Sequence, residues 1–297
     1  MPTPKDVAIQ IEATIEEANL LFSKIVDNTQ NSIYNLAVSK LRELDVDPDG
    51  YVRQTASNRK IIRGVYKAFD EGLTKGGYYQ GLSDFVATMK TLDAINAGYF
   101  SDLGLAAFND SSTLITSLQK QSISTVEGLL LNDGLQTQIK EPLYNLLLQN
   151  VNTGGSYSGM IDQMRNYVKG TYDADGKLLR YTKQITQDVL NNYSRSYQAA
   201  IGAKLGLEFF QYVGGLIPES REFCRDRAGD YFHYKEIESW ASLDWKGKRS
   251  DTTESSIFVY AGGHQCKHLI MPVSISVVPK AAIQRAIDMG FYVPKIV

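Results

Sequence analysis

The chain has 297 residues and 43% hydrophobic content, enough for one large core or two ordinary ones, and two domains are the working count. Its 31 Lys and Arg against 33 Asp and Glu leave a net charge of -2, which excludes a global basic field that would draw the whole protein onto nucleic acid or a membrane. The opening MPTPKDVAIQIEATIEEANLL alternates acids with apolars, so neither a signal-peptide core nor a membrane-length apolar run is expected there, and the chain reads as one made and kept in a cytoplasm.

From Lys5 to about Leu44 apolar residues recur every three or four positions (Val7, Ile11, Ile15, Ala18, Phe22, Ile25, Ile33, Leu36, Leu41, Leu44), which predicts one long amphipathic helix stopped by Asp47-Pro48-Asp49-Gly50. Such a length predicts packing along other helices or a neighbouring subunit, and, with one apolar face and little else in view to cover it, self-association or instability of the chain made alone. Helical patterns follow over Val52–Leu73, Leu82–Ile95, Ser112–Leu131, Leu135–Val151 and Ser156–Val168, separated by glycine-bearing breaks. After a turn at 171–176, another helix is expected over Leu178–Leu205, with Ile185, Val189, Tyr193, Tyr197 and Ile201 at four-residue steps.

The period then changes. Leu207–Val213, Tyr231–Phe232, Ile257–Tyr260 and Leu269–Val278 are short β-branched and aromatic runs bounded by Gly, Pro and Ser, as strands are. A final helix is expected over Lys280–Met289, followed by an extended tail at 291–297. The expected fold class is therefore α+β: a helical assembly region at 1–176, a connecting helix at 177–205, and a small mixed α/β module at 206–297.

All three histidines and both cysteines fall in that last module: Cys224, His233, His264, Cys266 and His268. In an extended strand, positions 264, 266 and 268 would share one face. Cys224 could then close a tetrahedral zinc site with Cys266, His268 and either His233 or His264, since zinc accepts sulfur and nitrogen ligands of these kinds. The spacing is not the paired C-x-x-C of zinc knuckles, so a buried thiol pair without metal and a disulfide stay open as readings. A catalytic Cys/His pair would need a base and an orienting carboxylate, and nothing in the sequence fixes Asp226, Asp230 or Glu236 in such roles. No phosphate-binding loop, H-E-x-x-H or G-x-S-x-G occurs, and the chain is read as a non-enzyme.

Between Tyr51 and Phe69 stand Arg53, Arg59, Lys60, Arg63 and Lys67 without an acidic residue, and Arg59, Arg63 and Lys67 lie a turn apart on one helical face. This stripe is either a contact for DNA phosphates or an acidic partner, or simply the solvated face of a bundle helix.

The run Pro218-Glu219-Ser220-Arg221-Glu222-Phe223-Cys224-Arg225-Asp226-Arg227-Ala228-Gly229-Asp230-Tyr231-Phe232, then Lys235-Glu236-Ile237 with Trp240, then Gly262-Gly263-His264-Gln265-Cys266-Lys267-His268 and Pro272-Val273, resembles in order and spacing the C-terminal signature of phage Mu F-like head morphogenesis proteins. The resemblance covers about the last 120 residues, and the rest only in helical character. It departs from the commoner Cys-x-Cys ending by placing His268 in the last position. What it implies is a bacteriophage minor head protein, a virion component at the portal vertex or capsid interior that assists head assembly and DNA packaging or ejection. Portal and major capsid protein would be its partners, with contact to packaged DNA and no membrane association. It carries over Cys224, Gly229, Gly263, Cys266 and His268 as structural determinants and no catalytic residue. A toxin-like nuclease or transferase built on the Cys/His module, and a DNA-binding accessory protein, stand as the alternatives.

Overall fold

The computed structural model describes residues 2–103 and 112–294. Among these residues seven long helices come first: α1 (Pro4–Leu41), α2 (Ala56–Lys75), α3 (Tyr78–Asp102), α4 (Ser112–Leu130), α5 (Glu141–Thr153), α6 (Tyr157–Lys169) and α7 (Lys177–Lys204), with a hairpin of two-residue strands, β1 (Gly170–Thr171) and β2 (Ala174–Asp175), before α7. Then follow β3 (Phe209–Val213), α8 (Glu222–Arg225), β4 (Tyr231–His233), α9 (Tyr234–Ser239), α10 (Ile257–Tyr260), β5 (Leu269–Val273) and α11 (Lys280–Asp288). The class is mainly helical α+β, as expected. Among the described residues no helix is long and apolar enough to cross a membrane.

The chain forms two compact units, and neither is contiguous. One gathers the described parts of Met1–Glu17, Thr88–Ser122 and Gln187–Val297, and the other Ala18–Ala87 and Ile123–Thr186. The boundaries expected at 176 and 205 are not where the chain divides, because α1, α3, α4 and α7 each contribute residues to both units.

The second unit is a helical assembly. Phe22, Val26, Ile33, Ala37 and Leu41 of α1, Ile62, Val65, Phe69 and Leu73 of α2, and Leu143, Leu147 and Val151 of α5 are buried at the three- and four-residue steps of amphipathic helices. Thr55 caps α2 by accepting a hydrogen bond from the Asn58 N–H, and buried Asn58 donates to the carbonyls of Asp45 and Arg53, which sets the turn between α1 and α2. That turn, with an isolated bridge between Val46 and Val52, is why α2 starts at Ala56 and not at Val52. A π-helical stretch, Gln136–Lys140, leads into α5, a feature that a 3.6-residue period does not reveal. The apolar face of α1 is covered by the chain itself, with Val7, Ile11, Ile15, Phe22, Val26 and Ile33 at most 2% exposed; an uncovered face is therefore not available as the reason for self-association.

In the first unit, β3 is the centre of a three-stranded antiparallel sheet in the order β4-β3-β5, with Phe209 opposite His233 and Val273, and Tyr212 opposite Ile270. Alternation sends Phe210, Tyr212, Phe232 and Ile270 to one face, where they pack with Phe223, Cys224, Trp240, Ile257 and Cys266. Phe209 and Val273 go to the other face and pack against Ala282 and Ala286 of α11. From α3, Tyr99 donates to the Pro272 carbonyl at 2.6 Å.

Two expected strands need correction. Ile257–Tyr260 is the helical turn α10, because Thr253 and Ser256 exchange side-chain and backbone hydrogen bonds and start a helix there, and the Ile257 N–H bonds the Thr253 carbonyl. The strand expected over Leu269–Val278 stops at Val273: the Ser274 hydroxyl accepts from the Ser276 N–H and opens a 3-10 turn over Ile275–Val277. Of the tail expected at 291–297, residues 295–297 lie outside the described part.

Candidate metal centre

Three residues of the sequence-predicted set converge. Cys224 stands on α8, Cys266 and His268 on the extended lead-in to β5, and all three are buried, with candidate ligand atoms within 4.8 Å of one another. Cys266 and His268 turn to the same buried side, while Lys267 between them is exposed. The Cys266 sulfur lies 3.7 Å from His268 Nδ1, and the two cysteines are free thiols.

The other two histidines are elsewhere. His264 belongs to a tight turn in which Gln265 has φ of 56°, so the strand alternation assumed for positions 264, 266 and 268 breaks and His264 is exposed. His233 pairs with Phe209 in the register, which puts it on the opposite face of the sheet from Tyr212 and the thiols. There its ring meets Phe209 and Tyr292, and its Nδ1 accepts from the Lys235 N–H. A four-ligand site made with His233 or His264 is therefore corrected to a three-residue cluster.

Sequence reasoning missed several residues around this cluster. Tyr212, central in β3, is fully buried; its hydroxyl lies 3.3 Å from the Cys224 sulfur and 3.8 Å from the Cys266 sulfur, and its ring stacks on His268 at 5.1 Å. Gly262 faces the same space. A Cβ there would fall 2.5 Å from the Cys224 sulfur, 2.9 Å from that of Cys266 and 3.2 Å from the Tyr212 oxygen, so glycine alone leaves this cradle open. Arg195 of α7, 3% exposed, spends its guanidinium on three backbone carbonyls: His268 at 2.9 Å, Val259 at 3.1 Å, and Cys266. A mid-helix arginine in a polar sequence carries no mark of such a role. Gly263, one of the motif glycines, has φ of 95° and turns the chain against the Gly247 carbonyl. Gly229, the other, donates its N–H to the Tyr212 carbonyl at 2.7 Å.

The electrostatics favour a shared proton between the thiols. A hydrogen bond from Cys224, with further help from His268 and the Arg195 charge, holds Cys266 well below its ordinary range, against the opposing effect of burial. The same bond and burial push Cys224 up, so Cys224 is the donor of the pair and Cys266 the acceptor. Burial raises the Tyr212 hydroxyl as well. His268 Nε2 is buried without a hydrogen-bond partner. Two thiols and an imidazole around a space that a methyl group would fill suit a thiophilic divalent ion with tetrahedral preference.

The cluster forms the inner wall of a cleft of about 980 Å³, bordered by Leu216, Ile217, Arg221, Trp245, Lys246 and Lys267. Lys267 pairs with Glu12, at 3.7 Å, and Glu16 of α1, and Asp188 accepts from the Gln265 N–H at 3.0 Å, so the loop that carries Cys266 is tied to two helices of its own unit. The carboxylates weighed for catalysis do not gather here: Asp230 is exposed, Asp226 is exposed at the cleft, and Glu236 is ion-paired with Arg285 at 3.3 Å. In the basic stripe, Arg59 donates to Asn152 at 2.8 Å and Lys67 stands 4.0 Å from Glu71, while Arg63 is exposed. No known family model, curated protein or solved structure matches the chain.

Proposed function

We propose that this chain is a bacteriophage minor head protein, a virion structural component at the portal vertex or capsid interior, and that its C-terminal module is held together by one zinc ion on Cys224, Cys266 and His268. The observation that supports this reading is the convergence of the fixed points of the motif. Cys224 from its first half and Cys266-x-His268 from its second meet in one buried cluster, and the carboxylates between them stay out of it. The zinc would cross-link α8 to the lead-in of β5, adding to the apolar packing around both cysteines; structural zinc contributes directly to folding in such modules. Arg195 would hold the two ligand-bearing carbonyls in place around it. Nothing in this arrangement calls for turnover, and the role is one of assembly.

The test is affinity recovery of the tagged chain from cells co-expressing a cognate portal and major capsid protein, followed by metal analysis of the recovered material. Co-recovery with portal or capsid protein, and about one zinc per chain, is expected. Recovery of neither protein refutes the virion reading. Salt-sensitive retention of DNA without either protein would favour the DNA-binding alternative instead.

A further inference from the structure

The three protein ligands leave the fourth vertex of a tetrahedral ion to be filled, either by water from the cleft or by a side chain. We infer that the Tyr212 hydroxyl oxygen fills it, so that the centre is a closed site of two cysteines, one histidine and one tyrosine; this rests on the zinc reading above. In a tetrahedron with zinc–sulfur arms of about 2.3 Å and zinc–nitrogen or zinc–oxygen arms of about 2.0–2.2 Å, neighbouring ligand atoms stand roughly 3.5–3.8 Å apart. The separations here are 3.7 Å from the Cys266 sulfur to His268 Nδ1, 3.3 Å from the Tyr212 oxygen to the Cys224 sulfur, and 3.8 Å from that oxygen to the Cys266 sulfur. The tyrosine oxygen thus keeps the spacing of a ligand to the Cys266 sulfur, and to the Cys224 sulfur it stands a few tenths of an ångström closer, in a hydrogen bond it donates and would exchange for the ion.

Its position is also fixed from every side. The ring stacks on His268 and meets Phe223 and Trp240 edge-on at 6.3 and 6.1 Å, and the backbone is pinned in the central strand. No such constraint brings His233 or His264 toward the cradle, for the reasons of register and turn given above. Charge balance points the same way. Two thiolates and a phenolate around a divalent zinc ion carry one net negative charge, with the protons those ligands still hold released to water. The buried Arg195 guanidinium, bonded only to carbonyls among the described residues, supplies the opposite charge beside it.

The experiment uses the full chain, stripped of metal by a chelator under reducing conditions and reconstituted with Co²⁺. Sulfur-to-cobalt charge-transfer absorption reports the two thiolates, intense visible bands report four-coordination, and relaxation of ¹⁷O-labelled water reports a coordinated water. The wild type is expected to show the first two and no coordinated water. Tyr212→Phe keeps the ring and its stacking; it is expected to retain the charge-transfer band, to admit an exchangeable water, and to bind zinc at least about tenfold more weakly. A coordinated water in the wild type, or a Tyr212→Phe protein with unchanged water relaxation, overturns the inference while leaving the zinc reading intact. Absence of the charge-transfer band in the wild type overturns both. Should Tyr212→Phe fail to fold, the wild-type water measurement decides alone.

Discussion

At the scale of single residues, the candidate centre depends on what is absent as much as on what is present. Gly262→Ala places a methyl group in the space bounded by two sulfurs and the Tyr212 oxygen. It is expected to abolish zinc uptake and to lower stability by about 1–3 kcal/mol, the usual effect of overpacking a filled core, as measured by metal analysis and thermal unfolding. His233 permits a test with a defined sign. Burial depresses its pKa below the ordinary 6.5, with Lys235 acting in the same direction and Glu208 against it. The unfolded chain therefore binds the proton more readily than the folded one, and the contribution of neutral His233 is present above about pH 6.5 and lost as the pH falls through the interval below it. His233→Asn, which keeps an acceptor for the Lys235 N–H, is expected to flatten that part of the stability–pH curve, by a slope of up to about 1.4 kcal/mol per pH unit. A curve identical to the wild type would show that the group does not titrate differently in the two states. Of the site itself, the ligand types and their shared module were legible in the sequence, because Cys and His are rare enough to stand out. Tyr212 and Arg195 were not legible, because one looks like any strand aromatic and the other like any helix-surface cation.

At the scale of elements, sequence pattern identified α1, α7 and α11, each with one face buried along most of its length, and β3 and the start of β5, which are buried on both faces. It failed at Ile257–Tyr260 and after Val273, where hydroxyl side chains redirect the backbone within a few residues. A short apolar run has no period to read, so local capping decides its conformation. Close approach is the other feature hidden from sequence. Gly72 of α2 sits where a Cβ would meet Ile33 of α1 at 2.6–2.9 Å, including backbone atoms that cannot rotate away. Gly72→Ala should thus force α1 and α2 apart despite the better helix propensity of alanine, and a fall in the unfolding midpoint is expected. A rise instead would mean that propensity outweighs the contact.

At the scale of the whole molecule, the zinc reading predicts a local response. Removing metal with a chelator should speed amide exchange in β3, α8 and the segment 257–273, while α2 and α5, whose cores contain no ligand, provide the internal reference. Uniform exchange across both units, or none, would not fit a metal confined to the Cys224, Cys266 and His268 cluster. Sequence patterns gave no hint of the interleaving of the two units, since a helix that serves two cores has the same amphipathic stripe as a helix that serves one.

That interleaving has a consequence for the order in which the protein is made. Synthesis runs from the amino terminus, and every residue of Ala18–Ala87 and Ile123–Thr186 has been polymerised before the sheet-bearing segment Gln187–Val297 begins. The helical unit can therefore reach its full set of contacts while the ribosome is still adding residues. The first seventeen residues cannot, because Glu12 and Glu16 pair with Lys267, 251 positions after Glu16. The beginning of the chain must wait for its end, so a ribosome that stops short of the last hundred or so residues leaves the amino-terminal segment without the surface it was built to meet.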